Sequence, residues 1–317
     1  MELNLRPMGM PELLDRSITL YRKNFLLFVA IESVITMPVV LIQVVSTLLL
    51  GPTSFLTGSL GSATTGLAVY YALSVGLVIL SLLGGIIQMA ALSLAVSERY
   101  HERPTSLKAA YGRALRRWDS LLVVSIVLGL VNGVVMLLLF GPLFALALLG
   151  PSITSSGAGL ATSLLALFGC LAFVPAVVVL AFLDTRWAFV IPSIMIENLR
   201  AFQGLGRSWR LVRGYFWRVL GTGILLILFV YALEIVPVWL FQIAAVWIAA
   251  MLNSASLVSV LSGAIGAVIG ILVSPIQFTV LVLLYYDIRI RKEGYDLVLR
   301  VEAMNAAPAP VRLEQGA

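Results

Sequence analysis

Charge is scarce in this sequence. Asp, Glu, Lys and Arg make up 11% of the 317 residues, against 61% hydrophobic ones. A soluble chain of this length needs a polar coat that so few charges cannot build. An integral membrane protein is therefore expected. Cysteine is almost absent too: Cys170 stands alone inside an apolar segment. That excludes a disulfide framework and a cysteine zinc site, and Cys170 reads as a small packing residue. The lone histidine, His101, falls in a polar connector and reads as a solvated residue. No Ser/His/Asp set and no metal-ligand spacing can be assembled, so catalytic residues, a metal and a cofactor are not expected. Gly204-x-Gly206 follows no strand, so it is not a nucleotide loop. Residues 1–23 are too polar, and the next apolar run too long, for a cleavable leader.

What is present is long apolar runs with basic borders. The runs predict an all-α polytopic protein with six transmembrane helices, at about 25–50, 66–97, 120–149, 160–183, 219–252 and 257–286. Each is long enough for ~30 Å of hydrocarbon at ~1.5 Å per residue. Pro38, Pro175 and Pro275 lie inside spans. Breaks are expected at Gly141-Pro142 and near Pro237, and Gly150-Pro151 is expected to close the third span. Ala188 to Ile196 is apolar but too short to cross, which predicts a shallow or re-entrant segment. Residues 1–304 form one six-span domain. Residues 305–317, reading NAAPAPVRLEQGA, are expected to be a disordered tail.

All 21 lysines and arginines fall within 1–23, 98–119, 184–218 and 289–312. The alternate loops carry none. The positive-inside rule then places both termini in the cytoplasm, and a cell-membrane location follows. The same placement argues against nucleic acid as a partner, because the basic residues border the spans.

The organising stretch is Leu205 to Leu220, reading LGRSWRLVRGYFWRVL. Phe202, Leu205, Trp209, Val212 and Phe216 fall at helical spacing on one side, with Arg200, Arg207, Arg210 and Gly214 on the other. That is the pattern of a helix lying in a membrane surface. Gly9 to Asn24 and Thr105 to Trp118 have the same character, with Pro11 suited to a first turn and Thr105 or Ser106 to a cap. Arg16-Ser17-x-x-Leu20-x-Arg22-x-x-Phe25 matches Arg207-Ser208-x-x-Leu211-x-Arg213-x-x-Phe216. The even spans end alike, at Glu98-Arg99, Asp184-x-Arg186 and Asp287-x-Arg289. Three hairpin repeats in one orientation are expected, each preceded by a basic interfacial amphipathic helix. Trp118, Trp187, Trp209 and Trp217 fit an interfacial aromatic belt.

The segments LLDRSITLYRKNF, RSWRLVRGYFWRVLG and LLYYDIRIRKEGYDLVL resemble the membrane domain of bacterial glycerophosphoryl diester phosphodiesterases, from Leu13 to Leu299. The resemblance implies the membrane architecture. It does not imply the activity, which in that family belongs to a separate soluble barrel with paired histidines and metal-binding carboxylates. This chain has no counterpart of that barrel.

Two sets of residues remain as candidates. Glu32 and Glu234 are acids inside spans, ~10 and ~20 Å from the cytoplasmic end at ~1.5 Å per residue. An intramembrane carboxyl marks a polar pathway by default. Its plainer role is a protonated side chain donating one hydrogen bond. With Gln88 and Gln277, which read first as interhelical glue, they make a candidate intramembrane polar site. The second set is a lipid or partner surface of Arg16, Arg22, Arg113, Arg116, Arg117, Arg207, Arg210 and Arg213, attracted to anionic headgroups of the bilayer. The expected function is a non-catalytic membrane scaffold or partner subunit, with a cytoplasmic or membrane protein as partner. A small transporter or channel using Glu32 and Glu234 is the alternative. An intramembrane lipid enzyme is disfavoured, since no nucleophile and base are paired.

Overall fold

A computed structural model describes residues 8–50, 60–155, 159–251 and 255–294. The predicted 305–317 tail and most of the loop after Leu50 lie outside the described residues. The described chain is helical, and among its residues there is no strand. The elements are α1 (Met10–Lys23), α2 (Phe25–Leu50), α3 (Leu60–Tyr100), α4 (Leu107–Leu115), α5 (Trp118–Ser155), α6 (Gly159–Trp187), α7 (Val190–Ile196), α8 (Ala201–Val212), α9 (Phe216–Met251) and α10 (Ala255–Glu293). Six of these are long and apolar enough to cross a membrane: α2, α3, α5, α6, α9 and α10. The chain is a multi-pass membrane protein.

The long helices pair as α2/α3, α5/α6 and α9/α10, and each hairpin follows a short basic helix, α1, α4 or α8. Local chemistry explains the short ones. In α1, Pro11 and Glu12 occupy the first turn while Arg22 and Lys23 occupy the last, which suits the helix dipole. Ser106 caps α4 by accepting from the Ala109 N–H at 3.3 Å.

Several sequence expectations need correction. The stretch 205–220 is not one helix: α8 ends at Val212, and Gly214 sits at φ +94°, a left-handed turn that glycine enters without a Cβ clash. Gly214 is thus a hinge between surface helix and span, rather than part of a polar face. Helix α5 runs unbroken through Gly141-Pro142 and Gly150-Pro151 to Ser155. A residue before proline resists the helical region partly through its Cβ, which glycine lacks. Helix α9 likewise continues through Pro237, as membrane helices can when neighbouring groups satisfy the freed carbonyls. The segment after Trp187, expected to be shallow or re-entrant, is a helix of 7 residues, too short to cross. It forms α7, whose residues Val190 to Met195 are buried, packed between α3 and α8.

The face that α8 buries is not the aromatic one. Ala201, Gly204, Ser208, Leu211 and Val212 pack inward, while Phe202 and Trp209 are exposed. Gly204 permits this approach: a Cβ there would come within 2.5 Å of Ile194 Cγ1. Ser17 and Ser208 are both fully buried. Ser17 donates to the Leu13 carbonyl at 2.7 Å, and Ser208 donates to the Arg186 carbonyl at 2.8 Å.

The core gathers at the basic end. It is built from α1, the starts of α2, α5 and α9, the end of α3 (Ala90 to Val96), α4, α7, α8 and the end of α10 (Val280 to Ile288). Far from that end the helices splay their apolar side chains outward, as Leu130, Leu137, Leu171, Leu228 and Trp247 show.

Candidate functional site

Two polar regions stand out, one between the spans and one at the basic end. In the first, Glu32 of α2 is buried and accepts a hydrogen bond from the Ser274 hydroxyl of α10. Gln88 of α3 is buried beside it and donates to Thr36 Oγ1 at 3.3 Å. Its amide is also close enough to act on the Glu32 carboxyl, although Glu32 Oε2 takes no hydrogen bond of ordinary geometry. Tyr111 of α4 closes the site from the basic end by donating to the Ile31 carbonyl at 2.7 Å. Burial, with the nearby Glu32 carboxyl second, pushes its hydroxyl up to about 12, so it remains a donor. Along the same face of α2 lie Gln43 and Thr47. With Val40, Val44, Tyr70, Val260 and Gly263 they line a second cavity of about 240 Å³.

The structure thus brings Glu32 and Gln88 together and leaves the other two apart. Gln277 is exposed on α10. Glu234 is half-buried on α9, and no described residue hydrogen-bonds it. Ser274, which the sequence reading passed over, completes the Glu32 site. A readable signal existed: Glu32, Thr36, Gln43 and Thr47 are spaced by four, seven and four residues, one face of a helix.

At the basic end the ion pairs are dense. Asp287 is fully buried, with Arg218 at 2.8 Å and Arg291 at 3.0 Å, and it accepts from the Met8 N–H at 2.7 Å. The two arginines return to the Met8 carbonyl at 2.5 and 2.8 Å. Arg207 bonds Glu197 at 2.8 Å and Glu293 at 2.7 Å. The bonds to Glu293, and then those to Glu197, outweigh burial and hold this guanidinium above its usual pKa. The Tyr285 hydroxyl donates to Glu197 as well. Lys292 reaches the Arg213 carbonyl at 2.9 Å and the Arg210 carbonyl, meeting the free carbonyls at the end of α8.

This divides the eight predicted surface arginines. Arg16 pairs with Glu12 at 3.0 Å, Arg113 with Glu98 at 2.6 Å, Arg117 with Asn198 at 3.1 Å, and Arg207 as above. Arg22, Arg116, Arg210 and Arg213 stay exposed, and no described residue pairs with their guanidinium groups.

Between the ends of α3 and α10, α4, α7 and the Asn198 corner lies a cavity of about 550 Å³. Arg103, Arg113, Arg116 and Arg117 line it, with Glu98 as the sole carboxylate among its lining residues. Its remaining lining includes Leu94, Met195 and Ile196, together with Ser97, His101 and Tyr286. His101 is not the solvated connector expected of it. Its Nδ1 lies 2.8 Å from the Ser97 carbonyl, and its ring meets Tyr100 and Tyr286 edge-on. Among the described residues no three His, Cys, Asp or Glu side chains converge as metal ligands would.

A family model described as Domain of unknown function (DUF7847) matches residues 13–288. The chain belongs to this family. The matched region opens in α1 and closes in α10, so it takes in all three hairpins, the Glu32 site and the arginine-lined cavity. No curated protein and no solved structure matches the chain.

Proposed function

We propose that the chain is a non-catalytic protein of the cytoplasmic membrane, acting as a scaffold or partner subunit through its basic end. In this reading both termini and the basic end lie in the cytoplasm, because every lysine and arginine borders the same ends of the spans. The observation that carries the reading is the division of the arginines. Arg16, Arg113, Arg117 and Arg207 knit the basic end together. Arg22, Arg116, Arg210 and Arg213 are held exposed on that rigid base, ready for anionic lipid headgroups or a protein partner. The resemblance to the membrane domain of glycerophosphoryl diester phosphodiesterases supports the same view, since that domain accompanies an enzyme without carrying its chemistry.

The test is a photo-crosslinking residue placed at Arg210 or Arg213 in intact membranes, with one at Met251 as reference. A defined protein or anionic-lipid adduct is expected from the first two positions, and Arg22→Glu with Arg116→Glu should diminish it. An adduct pattern indifferent to that charge reversal would contradict the reading.

The transporter alternative has one observation in its favour. Glu32, Gln88, Thr36 and Ser274 meet between α2, α3 and α10, and the second cavity lies further along the same helices. Glu32→Gln in proteoliposomes should then abolish proton or cation flux while the protein stays folded. Glu234 does not join that cluster, so Glu234→Gln should be silent.

A further inference from the structure

We infer that the 550 Å³ cavity is a binding site for a ligand that bears a phosphomonoester group. The inference rests on the reading of the basic end as the working face, and it names the chemistry that face would take. The first argument is charge. Four guanidinium-bearing residues and one carboxylate line the cavity. Arg113 and Arg117 are held by Glu98 and by Asn198, which fixes them in place. The guanidinium groups of Arg103 and Arg116 have no described partner. Two uncommitted guanidinium forks beside two fixed ones suit a group carrying more than one negative charge and several acceptor oxygens. A phosphoryl group has both.

The second argument is shape. The volume falls within the ~300–1,000 Å³ range of small-molecule sites. One part of the lining is apolar, at Leu94, Met195 and Ile196, and another is polar, at Ser97 and Tyr286, whose hydroxyls lie 2.6 Å apart. A ligand with a phosphate at one end and a neutral or apolar body at the other matches that division. The third argument is backbone conformation. Glu102 and Asn198, at φ +58° and +57°, are the non-glycine residues with positive φ among the described ones. Asn198 lines the cavity, and Glu102 stands between His101 and Arg103, which also line it. Such conformations persist where their surroundings fix them, and they gather at ligand sites.

The phosphate can come from a lipid headgroup or from a soluble ester, and one experiment separates the two. The full-length protein in a neutral detergent is titrated with a fluorescent short-chain phosphatidic acid. The complex is then competed with inorganic phosphate or with phosphatidylcholine of equal chain length. Saturable binding displaced by phosphate and not by phosphatidylcholine is expected. Arg103→Gln with Arg116→Gln should weaken it at least tenfold, and Arg116→Lys, which keeps the charge and loses the fork, by less. Lys23→Gln, at an exposed cation outside the cavity lining, should leave it unchanged. Phosphatidic acid binding far more tightly than phosphate identifies a lipid ligand, whereas equal affinities identify the phosphoryl group alone and hence a soluble ester. No saturable binding of either, or binding that the double variant leaves intact, overturns the proposal. If the cavity fails while crosslinking from Arg210 and Arg213 still responds to charge, the cavity alone is wrong. If that crosslinking fails and phosphate still binds, the working-face reading is what falls.

Discussion

Helices α9 and α10 form one hairpin and their most apolar stretches are almost equally apolar, yet half of that stretch of α10 is buried in the protein and only 6% of that of α9. Apolar content therefore does not say which helix builds the core. The difference lies in the residues that interrupt the apolar run. Helix α10 carries Ser274, Tyr285, Tyr286 and Asp287, each matched to a partner on another element. Helix α9 turns Leu228, Trp239 and Trp247 outward along its length. In hydrocarbon there is little hydrophobic force between helices, so packing and polar matches decide which of them meet. The basic end is where those matches are concentrated.

The largest expected effect follows from breaking that contrast at its densest point. Asp287→Ala would leave Arg218 and Arg291 without their carboxylate and the Met8 N–H without its acceptor. Removing one member of a buried charge cluster costs about 3–5 kcal/mol. Thermal unfolding in detergent should show a collapse in midpoint or a loss of folded protein. Gly204→Ala comes next. The added Cβ meets Ile194 at 2.5 Å, and Ile194 is fully buried, so about 1–3 kcal/mol of overpacking is expected in the same assay. Glu32→Gln should cost about 1 kcal/mol or less, because the amide oxygen can still accept from Ser274. A larger loss would mean that the charge itself holds α2 to α10. The smallest effect is on α9: Leu228→Ala, at a side chain 63% exposed, should stay within about 0.5 kcal/mol. If it rivalled Gly204→Ala, α9 would be packing against something other than lipid.

The contrast also marks what could be read from the sequence. The six spans, the three short basic helices and their order were legible, because each rests on a local pattern: an apolar run, a helical period or a cap such as Ser106. The repeat was legible in letters, and the shared serines, Ser17 and Ser208, are both buried, although one bonds within its own helix and the other to a neighbouring one. Pairings between distant residues were not legible. Nothing near Asp287 in the chain announces Met8, and nothing near Glu197 announces Arg207 and Tyr285. For the same reason the eight arginines looked alike, although half of them are committed to internal partners. Proline misled the reading of α5 and α9, since in a bilayer no water can take over the backbone groups that unwinding would expose, so the helix persists through the proline. Gly214 carried a turn signal, but the periodicity on either side of it masked the break.

The account depends on three hairpins entering from one side, so that α1, α4 and α8 share a common basic layer. The direct test replaces Cys170 with alanine and places single cysteines at Arg22, Arg116, Arg213, Leu160 and Met251, all exposed. Each is probed in sealed vesicles with a membrane-impermeant thiol reagent applied to one face or the other. The first three should react from the same face, and the last two should not react from that face. Labelling of Arg22, Arg116 or Arg213 from the face opposite to the other two would contradict the account.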